Sequence, residues 1–488
     1  MLSTVESLQL ALEHQQSGRL AEAERIYREV LERNPDHPDA LHLLGVLAAQ
    51  SGRPQQAAAL IARAISLNPA APFYHNNLGN VLQDLGRTAD SLLCYAEALR
   101  LEPQYVEALV NLGNALNRLD RFPEALNCYL EAQRLRPDYP GVYVNLAHAL
   151  IDEGLLEEAL VSVEEALRLE PENAQAHGAR SLIWLLEGDF EKGWPEYEWR
   201  WQLEPRTRRS FSQPLWDGSP LNGKRILLHA EQGLGDTIQF LRFAEAVRAR
   251  GGRVILECPP SLVELAATVQ GVEQAIPAGR QLPEFDVHCP LLSLPLVLGV
   301  RLETIPNKIP YIRAPQPPGD WPPLPGEGTL RVGVAWAGNP AHKNDRRRSL
   351  TLDHLAPLAD VPGVTFVGLQ DKPRAEQTPP AGLNLALLPE TWNNLPWLAA
   401  AVERLDLVIT VDTLQAHLAG ALGRPVWVLL PFAPDWRWMR RGRDTPWYPT
   451  MRLFRQPARG DWASVIQTVR RQLIRVAQGE IKPDAVAQ

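Results

Sequence analysis

Apolar positions recur along the first two hundred residues in pairs of amphipathic helical stripes; beyond about residue 222 they gather into short, nearly uninterrupted runs. Proline marks the first region on a lattice: Pro35, Pro69, Pro103, Pro137 and Pro171 are 34 residues apart. Gly18, Gly52, Gly86, Gly154 and Gly188 share that lattice, with Asp120 in the missing slot. Ala23, Ala57, Ala125 and Ala159 hold one small-residue position, and Tyr27, Ile61, Tyr95, Tyr129 and Val163 follow four residues later. Each unit therefore predicts two helices, a turn at the glycine where a left-handed backbone is needed, and a stop at the proline. One unit cannot bury its own apolar face, so the units are expected to stack into a superhelix with a concave groove.

Leu44-Gly45, Leu78-Gly79 and Leu112-Gly113 recur in the first helices. With the in-phase Gly, Ala, Tyr and Pro positions they resemble the tetratricopeptide repeat. Five full units run from about residue 4 to 173, and a degenerate sixth keeps Gly188 and Tyr197. That last unit runs into Trp194-Pro-Glu-Tyr-Glu-Trp199-Arg-Trp201, read as a hydrophobic joint onto the next domain, with a sugar-stacking platform as the rival. Asn77, Asn111 and Asn145, like Asn80 and Asn114, fall 34 residues apart on first helices. Such a ladder of amides suits an extended peptide backbone in the groove; the alternative is that they satisfy neighbouring helix ends.

After about Asn222, runs alternate with helical patterns in βαβ fashion, predicting parallel sheets. Strands are expected at Ile226–His229, Val254–Cys258, Phe285–His288, Leu330–Trp336, Val364–Leu369, Leu407–Val411 and Val426–Leu430, with a closing helix near Asp461–Ala477. The proline-rich stretch 314–325 reads as a linker between two Rossmann-like halves. The domain plan is residues 1–205, 206–318 and 329–488, an α-solenoid followed by an α/β module of two halves. Ligands in open α/β sheets bind beyond the carboxyl ends of the strands, so a cleft lined by strand-end loops is expected.

Composition narrows the classes. The chain has 488 residues, 45% of them hydrophobic and 22% charged, with a net charge of -8, which argues against a general nucleic-acid binder. The start lacks a basic and an apolar segment, so no signal peptide is expected, and no run is long enough to cross a membrane. Cys94, Cys128, Cys258 and Cys289 form no C-x-x-C pair; reduced thiols, a cytoplasmic location and no metal site are the expectation.

Chemistry collects at three strand ends. Gly233-Leu-Gly235-Asp236 follows the first strand as a glycine turn opening a helix; Asp236 is either a helix cap or a catalytic base. Asn339, His342, Lys343, Asp345 and Arg346 to Arg348 follow the second half's first strand, a basic loop suited to a diphosphate or simply a solvated one. Asp412-Thr413 and His417 open another helix, as nucleotide ligands or as cap and core residues. Gln370 and Asp435 are second-rank candidates, and Asp435 to Trp438 with Trp447 to Pro449 read as a roof or as packing. A dinucleotide-binding turn is disfavoured because Ile238 stands where a third glycine belongs.

Together these motifs look like the metal-independent GT-B glycosyltransferases, nearest to the bacterial heptosyltransferase family, over about residues 222–475. The resemblance implies Asp236 as the base for an acceptor hydroxyl on the loop of Gly233 and Gly235. It implies Arg348 on the donor diphosphate and Asp412, Thr413 and His417 on the nucleotide-sugar donor; Asn339 and Lys343 of the basic loop are expected beside them on the diphosphate, with Gln370 a second-rank donor-site candidate. Arg348 stands where the family carries Lys, and Leu414 replaces its Gly. The layout of repeats plus GT-B module also resembles the protein O-GlcNAc transferases, in which the repeats carry a protein acceptor. The expected partners are thus a nucleotide-sugar donor, as substrate and with no cofactor, and a protein or peptide in the groove; a non-catalytic scaffold is the rival.

Overall fold

The computed structural model of the chain describes residues 2–204, 207–317, 322–342, 344–370, 377–388 and 394–485, so Lys343 and part of the proline-rich stretch lie outside the described residues. It divides into two compact units, Met1–Ala179 and Arg180–Gln488.

The first unit is a solenoid of five helix pairs. α1 (Thr4–Gln16) and α2 (Leu20–Arg33) are followed by α3 (Pro38–Gln50) and α4 (Pro54–Leu67), then α5 (Pro72–Asp84) and α6 (Thr88–Leu101). α7 (Val106–Arg118), α8 (Phe122–Leu135), α9 (Pro140–Asp152) and α10 (Leu156–Leu169) complete it. The lattice residues act as the pattern predicts. Gly52 has φ +73; its N–H reaches Ala49 O at 3.0 Å and that of Arg53 reaches Ala48 O at 2.9 Å, so the turn satisfies the last carbonyls of α3. Asp120 holds the same left-handed conformation at φ +60. Gly113 has another role: a Cβ there would sit 2.7 Å from the ring of Tyr129. α7 and α8 approach closely only because that position is bare.

The second unit begins within the degenerate repeat. α11 (Ala174–Glu187) crosses the division, and α12 (Phe190–Tyr197) lies beyond it. The compact division therefore falls earlier than residue 205, because the aromatic stretch is packed into α/β structure. Trp194 is buried, donates Nε1–H to Val300 O at 3.0 Å and meets the Trp436 ring edge-on at 5.4 Å. Trp199 and Trp201 are half-buried, and Arg200 lies 4.3 Å over the Trp201 ring.

Among the described residues two all-parallel sheets follow. The first holds β1 (Arg225–His229), β2 (Arg253–Cys258), β3 (Val272–Pro277) and β4 (Val287–Pro290) in the order β3-β2-β1-β4. The second holds β5 (Leu330–Ala335), β6 (Val364–Gly368), β7 (Leu385–Leu387), β8 (Leu407–Val411), β9 (Val426–Leu430) and β10 (Met451–Arg455) in the order β10-β9-β8-β5-β6-β7. The helices used below are α13 (Leu234–Phe240) after β1, α14 (Leu414–Ala421) after β8 and α15 (Trp462–Ala477). In the second sheet the chain winds outward from β5 through β6 to β7, then returns to lay β8 on the other side of β5. That reversal opens a crevice at the carboxyl ends of β5 and β8. The first sheet reverses in the same way between β1 and β4. No described helix is long and apolar enough to cross a membrane.

Candidate functional site

The glycine turn after β1 is not left-handed. Gly233 has φ -65 and ψ 172 as the N-cap of α13, and Gly235 lies inside the helix. Gly235 is needed for closeness: a Cβ there would come within 3.0 Å of His417 Cδ2 on α14. The two helices, one from each sheet, meet at this bare position.

Asp236 sits in the first turn of α13 and uses both oxygens. Oδ2 accepts the Gly233 N–H at 3.0 Å, the capping role the sequence allows. Oδ1 accepts Nη2–H of Arg437 at 2.6 Å. Arg437, in the loop after β9, also donates to Asp435 Oδ1 at 2.8 Å and from Nε to Gln239 Oε1 at 2.9 Å, with its guanidinium 4.4 Å over the Trp436 ring. Burial works against its charge, but Asp435 and Asp236 more than offset this and hold it protonated. Each carboxylate oxygen keeps a second lone pair, and the Asp236 side chain is 24% exposed, so a hydroxyl can still reach it.

The β5–β8 crevice supplies the other wall. Gln370 closes its floor: Oε1 accepts the Trp336 and Ala337 N–H groups at 3.1 and 3.0 Å, and Nε2 donates to Ala337 O at 2.9 Å. Asn339 is exposed and accepts the Ala341 N–H at 3.0 Å. Arg348 folds over Gly338, where a Cβ would lie 2.8 Å from Nη2; its Nε is buried 3.8 Å from Asp345 Oδ1, with no hydrogen-bond partner among the described residues. Thr413 is the N-cap of α14, its hydroxyl 3.0 Å from that of Thr410.

Electrostatics tie the walls together. Burial raises the Asp412 carboxyl to about 6, the Asp435 charge adds to this, and the Trp438 indole, Arg348 and Arg437 oppose it. Burial and then Arg348 lower the basicity of His342, while Asp435, Asp345 and Asp236 raise it. Asp236, His342, Arg348, Asp412, Asp435 and Arg437 therefore share one electrostatic field, drawn from the ends of β1, β5, β8 and β9. His417 is enclosed: it stacks on Trp438 at 5.3 Å, and its Nδ1 lies 3.0 Å from the Tyr448 hydroxyl. Burial, then Arg437 and Arg242, keep it neutral.

Sequence reasoning missed Arg437 and Arg242. The buried Arg242 donates to Gln239 O at 2.8 Å and Pro306 O at 3.0 Å and lies 4.5 Å over Tyr448. The signal for Arg437 was its place in Asp435-Trp-Arg-Trp438; Arg242 had none, since arginine is common on helices.

In the repeats, the Asn80 and Asn114 side-chain carbonyls accept the hydroxyls of Tyr95 and Tyr129, both at 2.8 Å. Asn111 donates to Asn76 Oδ1 at 3.0 Å, Asn77 pairs with His42 Nε2 at 2.9 Å, and Asn145 donates to Gly141 O at 2.6 Å.

The tetratricopeptide repeat profile matches residues 8–73, 76–140 and 144–197. Protein FlbA of Caulobacter vibrioides is similar at 29% identity over 320 residues, covering 58% of this chain and 52% of that protein. The chain thus spans about half the length of this curated relative. MamA is similar at 21% identity, covering 34% of this chain and 96% of MamA with a TM-score of 0.30. Pseudomonas aeruginosa PilF is similar at 21% identity, covering 41% of this chain and 92% of PilF with a TM-score of 0.36.

Proposed function

We propose that the second unit is a metal-independent GT-B glycosyltransferase, resembling the heptosyltransferases, and that the repeats recruit its protein acceptor. The observation that carries the reading is the Asp236–Arg437 pair, which joins the strand ends of one parallel sheet to those of the other. A nucleotide-sugar would lie along the β5–β8 crevice, with Arg348 and the Thr413 helix start against its diphosphate. The acceptor oxygen would attack the anomeric carbon as Asp236 takes its proton, and the sugar–phosphate bond would break to release the nucleoside diphosphate. The cations offset the charge that grows on that leaving group.

A panel of nucleotide-sugars screened by thermal shift identifies the donor, since a ligand that binds only the folded state raises its melting point. With that donor, Asp236→Asn is expected to lower transfer by about 100-fold or more while donor affinity stays unchanged. Turnover equal to the parent's would refute the base. One observation favours a second reading, a scaffold that only binds the nucleotide-sugar: both Asp236 oxygens already have partners. That reading predicts donor binding with no transfer in the parent chain.

The repeat region is a protein-interaction scaffold by type. Asn77, Asn111 and Asn145 are half-buried, and in this reading they exchange their present bonds for a peptide backbone.

A further inference from the structure

Asp435 lies in the loop after β9 and caps the single turn Trp436–Trp438. Its Oδ1 accepts the Arg437 main-chain N–H at 3.0 Å and Nη1–H of the same residue at 2.8 Å. Nη2 and Nε of Arg437 go to Asp236 and Gln239. Among the described residues Asp435 is the one acceptor of Nη1. The guanidinium therefore has one donor on the candidate base and another on a second carboxylate.

That second carboxylate is the more accessible partner: the Asp435 side chain is 36% exposed and that of Arg437 9%. It also lies against the β5–β8 crevice. Of the charges acting on the half-buried Asp412 at the end of β8, that of Asp435 is the strongest, and of the carboxylates acting on His342 after β5 it is again the strongest. Carboxylates gathered at one place repel each other, so Asp435 is readily displaced. The loop is strained as well. Met439 has φ +59 and ψ 165, a conformation that only glycine adopts freely and that recurs in segments that clamp or switch. Arg440 holds the strain in place: its N–H donates to Leu186 O at 3.0 Å, and its Nη1 to Glu187 at 2.8 Å.

We propose that Asp435 is a stand-in anion, holding Nη1 of Arg437 in the nucleotide-free protein, and that the diphosphate of a nucleotide displaces it. Arg437 then touches the leaving group through Nη1 and the base Asp236 through Nη2, which makes it a catalytic residue as well as a clasp. A planar guanidinium fork suits this, because its donors can meet two oxyanions at once. The inference rests on the glycosyltransferase reading and adds the group that joins its donor and acceptor sides.

The test is calorimetric titration of the full chain with UDP, GDP, ADP, CDP and dTDP. At least one is expected to bind. Asp435→Asn should bind it about tenfold more tightly, since the amide still caps the turn but no longer competes as a charged acceptor. A gain of affinity is an effect that damage to the fold does not produce. Asp360→Asn removes the same charge from an exposed pair with Arg470 on α15, ahead of β6, and should leave affinity unchanged. In Arg437→Met the gain from Asp435→Asn should fall to about twofold or less, because the competition is for Arg437. Unchanged or weaker binding in Asp435→Asn would overturn the exchange and leave the glycosyltransferase reading standing. So would a gain that Asp360→Asn reproduces, or one that persists in full in Arg437→Met. Binding of none of the five nucleotides, by the parent or by Asp435→Asn, would overturn both.

Discussion

Arg437→Met offers a measurement of how firmly the two sheets are clasped at the site. The substitution removes hydrogen bonds to Asp236, Asp435 and Gln239, at 2.6, 2.8 and 2.9 Å, and keeps part of the apolar contact with Trp436. Breaking a fully buried ion pair costs about 3–5 kcal/mol because a charge is left unpaired. Here the Asp236 and Asp435 side chains are 24% and 36% exposed, so water takes up part of the loss. About 2–3 kcal/mol is the resulting expectation, well above the ~1 kcal/mol ceiling of an exposed pair. Asp236→Ala with Arg437→Met closes a double-mutant cycle, with an expected coupling of about 1–2 kcal/mol. Urea denaturation followed by tryptophan fluorescence is the assay, and the sequence makes it selective. All 14 tryptophans lie at or after Trp184, so the signal reports the α/β unit and not the solenoid. A coupling below about 0.5 kcal/mol would place the pair among ordinary surface contacts and refute the clasp.

Three further outcomes follow from the packing and the buried histidines. Gly113→Ala should cost about 1–3 kcal/mol, because its Cβ meets the Tyr129 ring at 2.7 Å and that tyrosine is tied to Asn114; circular dichroism melting reads it, and an unchanged melting point refutes the close approach. Asp120→Gly should stabilise the solenoid by up to about 1 kcal/mol, since φ +60 is strained for any residue with a Cβ; a lowered melting point would contradict this. His229 is lowered to about 3 by burial first, then by His288 and Arg209. The unfolded chain binds that proton below about 6.5 and the folded chain does not, so stability falls as pH drops from about 6.5 towards 3, by about 3 kcal/mol at pH 4. In His229→Gln this part of the slope should vanish in urea titrations at stepped pH, and an unchanged slope would refute the assignment.

Much of the fold was legible because its determinants are local. The 34-residue lattice places Gly, Ala, Tyr and Pro at positions whose roles, left-handed turn, close approach, gap filling and helix stop, are each set within one repeat. Central strands were legible because a strand covered on both faces must be apolar throughout, as in Leu407–Val411 and Val426–Leu430. The unpredicted strands β3, β7 and β10 all lie at sheet edges; polar residues break the apolar run in β3, Val272-Glu-Gln-Ala-Ile-Pro277, and in β10, and β7 is only three residues long. β4, also an edge, was expected two residues too early.

The site divides along the same line. The sequence by itself determined that Asp236 opens a helix after a parallel strand and that Asp412-Thr413 opens another, because strand ends and helix starts are written in adjacent residues. Only the tertiary structure decided that Arg437, 201 positions along the chain, would clasp Asp236, and that Gly235 is bare to admit His417 rather than to turn the backbone. Such pairings depend on which strand ends the order of each sheet brings face to face. That order is set by non-local burial and hydrogen bonding, which leave no periodic mark on the chain.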